Sequence, residues 1–416
     1  MPAFRQFFAN LGPGLITGAA DDDPSGIATY SVAGAAFGYV PLWTSVLLFP
    51  LMVAVQLMCA RLGLVTGLGL AGVIRQRYSR WVLWGACSLL AGANVINIAA
   101  DLGGMAEATT LVTGVPAGRW VPIYTVVIAL LLIVSSYRTI ARVFKWLSLV
   151  LLAYVATAFV APVDWGAAMR AVVLPQIEWS RQFFAVLIAL CGTTISPYLF
   201  FWQAAQEVEE ERAMGRNQQQ RRGATADELA ASRLDVVSGM LASTIVMSFI
   251  LLTTAATLHA SGQHRITTAA QAAEALRPLA GRGAYWLFTI GLIGTGILAV
   301  PVLAGSCAYA IAEAAAWRGG SLDRRPRRAK KFYFVLGTAM ALGWVLNYAG
   351  FDAILLLFAS AVLNGVLAPP LILLIVLLNR DTIVMGKAVS SRPLDLLGWI
   401  TFGLMVAAAV GLLIAS

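Results

Sequence analysis

The stretch Asp21-Asp22-Asp23-Pro24-Ser25-Gly26 places three carboxylates and two helix-breaking residues inside an otherwise apolar segment, residues 11–36. A carboxylate at bilayer depth costs free energy, so it usually faces a water-filled path or binds a cation. Irregular backbone at that depth is tolerated only where it is buried in protein or lines a cavity, and Pro24 with Gly26 should interrupt the helix. Carboxylates beside freed carbonyl groups therefore predict a cation site within the membrane.

The composition of the chain indicates an all-α polytopic membrane protein. Hydrophobic residues make up 59% of the 416 residues and charged residues 12%, whereas soluble chains have about half and about a quarter. The cysteines all lie within apolar runs, so we expect no disulfide framework, no CxxC metal site and no cofactor: Cys59, Cys87, Cys191 and Cys307. The N-terminus lacks the pattern of a removable signal peptide, so the first span is expected to act as the signal.

Apolar windows of about 20 residues predict eleven transmembrane helices in a single domain, residues 1–416. The windows are 11–36, 40–64, 81–113, 121–136, 144–161, 183–205, 236–259, 285–317, 332–348, 354–378 and 394–414. Lys and Arg concentrate in alternate loops, so the positive-inside rule places the N-terminus in the cytoplasm and the C-terminus outside an inner (plasma) membrane. The net charge of +9 follows from this topology. We therefore expect the lipid bilayer, and no nucleic acid, as a partner.

A second interruption lies in the sixth window, where Cys-Gly-Thr-Thr-Ile-Ser-Pro-Tyr occupies residues 191–198. Interrupted helices at corresponding positions of two halves are typical of inverted-repeat transporters, whose site lies near the membrane midplane. We expect repeat one over about 11–161, repeat two over about 183–378, and an additional helix over about 394–414. An ordinary proline kink in each span is the alternative.

Several of these motifs resemble those of the NRAMP divalent-metal transporters. They are Gly12-Pro13-Gly14, the Asp23-Pro24 break, the stretch from Asn97 to Asp101, the Ser196-Pro197 break and the stretch from Gly294 to Glu313. The resemblance covers the chain from Leu11 to about Leu378. It implies a LeuT-type fold that binds a divalent metal ion between spans one and six. An intramembrane enzyme would need a convergent nucleophile and base, and no His pair or Ser-His arrangement lies at membrane depth in the spans, so we expect no enzymatic activity.

The departures from the NRAMP pattern identify a subgroup. Typical members bind metal through Asp and Asn of an Asp-Pro-Gly-Asn motif in span one, and through a Met sulfur and an Ala carbonyl in span six. Here the Asp is Asp23, and the Asn, Met and Ala positions are Gly26, Ser196 and Thr193. The family's His after the span-six Pro is Tyr198. This variant pattern is similar to the NRAMP-related magnesium transporters, and it implies a metal site of Asp23, Gly26, Thr193 and Ser196.

Ligand chemistry also favours Mg²⁺. A thioether selects softer metals, whereas carboxylate, hydroxyl, carbonyl and water suit hard cations. Mg²⁺ usually keeps several waters and contacts only one or two carboxylates, which fits a roomy site with small residues. We predict Mg²⁺ as the substrate, with Mn²⁺ also accepted, and the oligomeric state stays open between a monomer and a homodimer.

The same positions bear on the driving force. Two groups associated with a proton route in the family are replaced, the His by Tyr198 and a third-span Glu by Gly104. A divalent ion gains roughly 4.6 kcal/mol from a potential of 100 mV, so uptake needs no coupled proton. We predict uncoupled import by alternating access. Proton-coupled symport of Mn²⁺ or a transition metal, and cation-coupled symport of a small organic solute, are the alternatives.

Polar residues elsewhere in the spans are candidates for the ion path. Asn94, Asn97 and Asp101 recur at helical spacing on span three, where they line the path or hydrogen-bond between helices. Asp101 is expected to be functional or ion-paired, with Arg142 as a candidate partner. Asp21, Asp22 and Tyr198 are also assigned to the path or to groups around the ligands, because adjacent residues of a helix point in different directions.

A cluster of four carboxylates follows span six. It can concentrate cations at an exit, but we interpret it as a solvated helix face paired with Arg212 and Arg216. The polar stretch 212–232 is interpreted as a flexible cytoplasmic loop. The carboxylates of this cluster are Glu207, Glu209, Glu210 and Glu211.

Overall fold

A computed structural model of the chain describes residues 12–135, 139, 149–217, 219–317, 319–324 and 326–415. Every regular element within these ranges is helical, as predicted. Nine segments of this described part are long and apolar enough to cross a membrane. The equally interrupted sixth span is among them and the first span is not, because every 18-residue stretch in the first span contains all three Asp residues.

The longer helices are numbered here in chain order. They are α1 (Pro13–Asp21), α2 (Pro24–Phe37), α3 (Trp43–Thr66), α4 (Leu70–Arg77), α5 (Arg80–Thr113), α6 (Ala117–Val134), α7 (Leu152–Val160), α8 (Trp165–Val173), α9 (Arg181–Thr194), α10 (Pro197–Ala213), α11 (Ala226–Thr254), α12 (Ala284–Ala314), α13 (Lys330–Leu346), α14 (Ala353–Arg380) and α15 (Arg392–Ile414). A π-helical turn, Ala255–His259, continues α11.

Most predicted windows agree with these helices to within a few residues, but the fifth and the seventh do not, and α10 continues past the end of the sixth, to Ala213. Only the second part of the fifth window, residues 144–161, is described, as α7. The interpretation of 212–232 as a loop is wrong at its end, because α11 begins at Ala226. A capping box starts this helix: the Thr225 hydroxyl accepts from the Glu228 N–H, while the Glu228 carboxylate accepts from the Thr225 N–H. This polar first turn carries no hydropathy signal.

Both interrupted spans are broken, and neither is merely kinked. The α1 helix ends at Asp21, Asp22 (φ −83°, ψ 51°) follows it, and α2 begins at Pro24 after the extended Asp23 (φ −70°, ψ 171°). In span six, Ile195 (φ −116°, ψ 60°) ends α9 and Pro197 begins α10. Proline suits the first helical position because the missing N–H would have no partner there. The halves pack pairwise, α2 against α9 and α1 against α10.

Small residues allow the helices around these breaks to approach closely. A Cβ on Gly18 of α1 would overlap the backbone of Gly239 on α11, and a Cβ on Gly192 of α9 would overlap the backbone of Gly365 on α14. Such contacts stabilise helix pairs in lipid through van der Waals packing, since no hydrophobic effect drives the helices together there. The broken spans are therefore held against two continuous helices. All four cysteines are buried and free, as expected.

Candidate cation site

The carboxylate of Asp23 lies at the break of span one and is only 2% exposed. One of its oxygens, Oδ1, accepts from the Ser25 hydroxyl and from the Gly26 N–H, both at 2.7 Å. Asp23 thus caps the N-terminus of α2, where the helix dipole also favours negative charge. The local sequence Asp-Pro-Ser-Gly fixes this geometry and holds the charge at the break.

The hydroxyl of Tyr198 brings span six to the same carboxylate. It lies 3.2 Å from Oδ2 of Asp23 and 3.1 Å from the carbonyl oxygen of Ala20. A phenol has one hydrogen, so it bonds fully to only one of these acceptors at a time. Tyr198 stands directly after Pro197, in the first turn of α10. The two breaks therefore meet at Asp23, as predicted from their positions in the sequence.

The missing side chain of Gly26 leaves a small space lined by oxygen atoms. A Cβ there would lie 3.1 Å from Oγ1 of Thr193 and 3.3 Å from both the Asp21 carbonyl oxygen and the Tyr30 hydroxyl. The hydroxyls of Thr193 and Tyr30 are near one another, and neither has a hydrogen bond of good geometry within the described residues. The polar groups around Gly26 are thus free to receive a ligand.

Ser196 closes the broken end of α9. Its hydroxyl lies 2.7 Å from the carbonyl oxygen of Gly192 and 2.8 Å from that of Thr193. The hydroxyl hydrogen is shared between these carbonyls, while the lone pairs of Ser196 stay available as acceptors. A Met at this position would offer neither hydrogen bond and would place sulfur beside the break.

Asp21 and Asp22 face a different helix from Asp23. The hydroxyl of Ser243 on α11 lies 2.6 Å from Oδ2 of Asp21 and 3.1 Å from Oδ1 of Asp22. Asp21 is fully buried and Asp22 is 5% exposed. The three adjacent acids therefore do not share one point: Asp21 and Asp22 meet at Ser243 of α11, while Asp23 faces α2 and α10.

The polar residues of span three divide into two groups. The Asn97 and Asn364 amides exchange hydrogen bonds, at 2.9 Å and 3.2 Å, and Asn94 donates to the Leu303 carbonyl oxygen at 2.9 Å. For Asn94 and Asn97 the structure therefore shows hydrogen bonds between helices, which was the alternative to lining the ion path. Asp101 instead lies beside Asp23 and the backbone of Ser25, without a hydrogen bond of good geometry to any described residue. Its candidate partner Arg142 lies outside the described residues.

The interpretation of the acidic cluster that follows span six as a solvated helix face is wrong. Glu207, Glu209 and Glu211 are at most 5% exposed, and only Glu210 is half-buried. The predicted ion pairs do form, between Arg212 and Glu209 and between Arg216 and Glu211. A charge run on one helix does not reveal what covers it, and here other segments supply donors. Ser321 donates to Glu209 at 2.7 Å, and Ser232 donates to Glu207 at 2.9 Å.

Two side chains near the breaks were missed in the sequence. Tyr30 lies one helical turn after Gly26 on α2, so its spacing could have placed it beside the site. Ser243 is a single hydroxyl in an apolar span, and no local signal sets it apart from a serine that bonds its own helix. Its contact with the acids of span one depends on tertiary packing.

The donor set around Asp23 is poor in strong metal ligands. Within the described part of the chain, no group of three or more His, Cys, Asp or Glu side chains is arranged to hold a metal ion. The available groups are the Asp23 carboxylate, the neighbouring Asp101 carboxylate, and nearby hydroxyl and carbonyl oxygens. An ion bound here would keep part of its water shell, which suits a hard dication.

Comparison with known proteins gives consistent relatives. The sequence profile of the family described as "Natural resistance-associated macrophage protein-like" (Nramp) matches residues 14–415. A protein of Mesorhizobium japonicum named "Divalent metal cation transporter MntH" is 29% identical over 303 residues, which cover 71% of this chain and 65% of that relative, just under two thirds of its length. A protein of the same name from Yersinia pestis is 27% identical over 97% of this chain and 94% of its own length. The names describe transporters, as expected for a chain without enzymatic activity.

Solved structures share the fold. A manganese transporter of Eremococcus coleocola, solved with an aromatic bis-isothiourea substituted compound, superposes with a TM-score of 0.73 at 19% identity, covering 97% of this chain and 86% of that one. Mhp1, a nucleobase-cation-symport-1 family transporter solved in a closed conformation with bromovinylhydantoin, gives 0.58 at 15% identity, covering 97% and 93%. These likenesses show the predicted LeuT-type fold. The sequence identities are too low to assign a substrate to this chain.

Proposed function

Because this chain belongs to the natural resistance-associated macrophage protein-like family, we propose that it carries Mg²⁺, with Mn²⁺ also accepted, into the cytoplasm by alternating access. The observation that supports this most directly is the oxygen-lined space at Gly26, next to the buried Asp23 carboxylate. A carboxylate with hydroxyl, carbonyl and water ligands suits Mg²⁺ and Mn²⁺, and the absence of a thioether at Ser196 removes a preference for softer metals.

We further propose that no proton is coupled to this transport. Gly104 replaces the family's third-span Glu, and a Cβ there would lie 2.8 Å from the Leu357 side chain and 3.6 Å from that of Leu292. The side chains that directly contact this position are therefore apolar. Tyr198 replaces the family's His beside Asp23 with a phenol, which does not titrate near neutral pH in its ordinary state. The membrane potential alone supplies roughly 4.6 kcal/mol per dication at 100 mV.

The proposed orientation places the N-terminus in the cytoplasm and the C-terminus outside an inner membrane. It follows from the distribution of Lys and Arg among the loops. With this orientation α1 and α10 form the cytoplasmic halves of the broken spans, and α2 and α9 form the outer halves. A monomer is sufficient for transport in this scheme, because both broken spans belong to one chain.

The experiment that tests this function measures uptake into proteoliposomes with a potassium diffusion potential, negative inside. We expect Mg²⁺ and Mn²⁺ uptake that rises with the potential, with no change of internal pH on a trapped dye. Uptake of Mn²⁺ without Mg²⁺, accompanied by internal acidification, would instead establish proton-coupled manganese symport. Transport of neither ion would contradict the proposal.

The matched control for the proton question is Gly104→Ala against Gly104→Glu. The alanine variant adds volume beside Leu357 without a titratable group, so any uptake it loses reports packing alone. If Gly104→Glu alone gave metal-dependent acidification, the absence of a relay at this position would explain the uncoupled wild-type protein.

A further inference from the structure

The carboxylates of span one form two separate groups. Asp23 faces α2 and α10, through Ser25, Gly26 and Tyr198. Asp21 and Asp22 face α11, where both approach Ser243. Because Asp21 belongs to α1, this second group lies on the cytoplasmic side of the break in the proposed orientation. The two groups are adjacent in sequence but present their oxygens to different helices.

The contacts with Ser243 leave the second group short of donors. One hydroxyl hydrogen serves two carboxylates, at 2.6 Å from Asp21 and 3.1 Å from Asp22. The other oxygen of Asp21, Oδ1, is buried and has no hydrogen-bond partner anywhere in the described part of the chain. A buried polar atom without a partner costs about 1–3 kcal/mol, and more for a charged group. A cation is therefore expected beside Oδ1 of Asp21.

Within the described residues, no basic side chain forms a salt bridge with Asp21 or Asp22. The salt bridges of these residues lie elsewhere, mainly near the cytoplasmic ends of the helices in the proposed orientation. Two carboxylates that converge on one point carry the charge that a single dication balances. Their oxygens, with the Ser243 hydroxyl and water, also form the donor set that Mg²⁺ prefers over softer ligands.

We infer that Asp21, Asp22 and Ser243 form a second binding site for the transported dication, distinct from the site at Asp23. The inference rests on the proposed function and adds a step to it. An ion leaving Asp23 passes to the Asp21–Asp22 pair before it reaches the cytoplasm. Two sites of moderate affinity ease conduction through such a path, because neither holds the ion too tightly to release it.

The test uses Mn²⁺ as the probe and the purified full chain, with bound metal counted by electron paramagnetic resonance. In an Asp23→Asn background, we expect a remaining Mn²⁺ site that Mg²⁺ displaces. Adding Ser243→Ala should weaken this remaining site by about tenfold or more, since groups that orient metal ligands typically contribute 10–100-fold to affinity. Adding Asp22→Asn should weaken it further.

Ser360→Ala is the matched control, because Ser360 is also fully buried and donates to a carbonyl oxygen of its own helix, that of Leu357. It should leave the remaining affinity unchanged. Ser243→Ala keeps every charge of the chain, so it serves as the decisive variant if the carboxylate variants do not yield folded protein.

Two failures are distinguishable. If Asp23→Asn binds no Mn²⁺, or if its remaining site responds equally to Ser243→Ala and Ser360→Ala, the second site is overturned while the function at Asp23 stands. If the wild-type protein takes up neither Mg²⁺ nor Mn²⁺ into proteoliposomes, the proposed function itself is wrong. Uptake by Asp23→Asn at the wild-type rate would overturn only the role given to Asp23.

Discussion

The breaks of spans one and six share a backbone design but differ in chemistry. Both interrupt a helix for two residues and resume at a proline. The break of span one is acidic, and its Asp23 caps the second helix of the span, α2. The break of span six carries only neutral groups, and Ser196 bonds back to the carbonyls of α9. We interpret the difference as a division of roles, in which span one determines whether a cation binds and span six determines which cation binds.

The largest effect should follow from removing the charge of span one. Asp23→Ala should lower metal uptake by at least about a hundredfold, because loss of one partner of a buried charge pair costs roughly 3–5 kcal/mol. Flux of Mg²⁺ and Mn²⁺ into proteoliposomes measures it. Asp352→Asn serves as the control, since Asp352 caps α14 at its exposed end and asparagine caps equally well. Equal losses in both variants would contradict the assignment.

Filling the space between the two breaks should have the next largest effect. Gly26→Val should reduce Mg²⁺ affinity by about tenfold or more, because its side chain would crowd the Thr193 hydroxyl and the Asp21 carbonyl oxygen and leave no room for an ion beside them. Calorimetric titration with Mg²⁺ measures it. The control is Gly92→Val on α5, where a Cβ meets nothing within 4 Å. An unchanged affinity in Gly26→Val would show that the ion binds elsewhere.

A thioether in span six should change selectivity more than affinity. Ser196→Met should shift the ratio of Mn²⁺ to Mg²⁺ uptake towards Mn²⁺ by about tenfold, since sulfur favours the softer ion. Competition between the two ions in one uptake assay measures this ratio. Ser196→Ala removes the hydroxyl without adding sulfur and should leave the ratio close to that of the wild-type protein. Equal ratios of Mn²⁺ to Mg²⁺ uptake in all three proteins would contradict the proposal that span six determines which cation binds.

The smallest effect is expected where the two breaks touch. Tyr198→Phe removes the hydroxyl that lies near Asp23 and Ala20, and one such hydrogen bond contributes about 0.5–1.5 kcal/mol. We expect metal affinity to weaken by about two- to tenfold, without any new dependence of transport on a pH gradient. If transport by Tyr198→Phe depended on a pH gradient, the Tyr198 hydroxyl would have a role in proton transfer.

The features that could be predicted from the sequence are those with local causes. Pro24 and Pro197 cannot continue a helix, and carboxylates in an apolar run are rare, so both breaks were visible without a structure. The contact of Asp23 with span six was predictable because the two breaks lie at corresponding positions of the two predicted repeats. The apolar windows gave most helix bounds, because length and hydropathy are dictated by the bilayer.

The features that could not be predicted depend on contacts between distant segments. Burial of Glu207 and Glu209 requires Ser232 and Ser321, which approach only after the helices pack. The contact of Ser243 with Asp21 joins residues more than two hundred positions apart. Hydropathy also missed the start of α11, because its first turn is polar and is fixed by a capping box.

The contact between Gly18 and Gly239 restricts how this chain can diverge. Every substitution of a glycine adds atoms, and at this crossing the nearest neighbour is main chain, which cannot rotate aside as a side chain does. Substitution of a neighbouring side chain therefore cannot make room for a larger residue at either position. Random mutagenesis with selection for growth should accordingly return glycine at both positions.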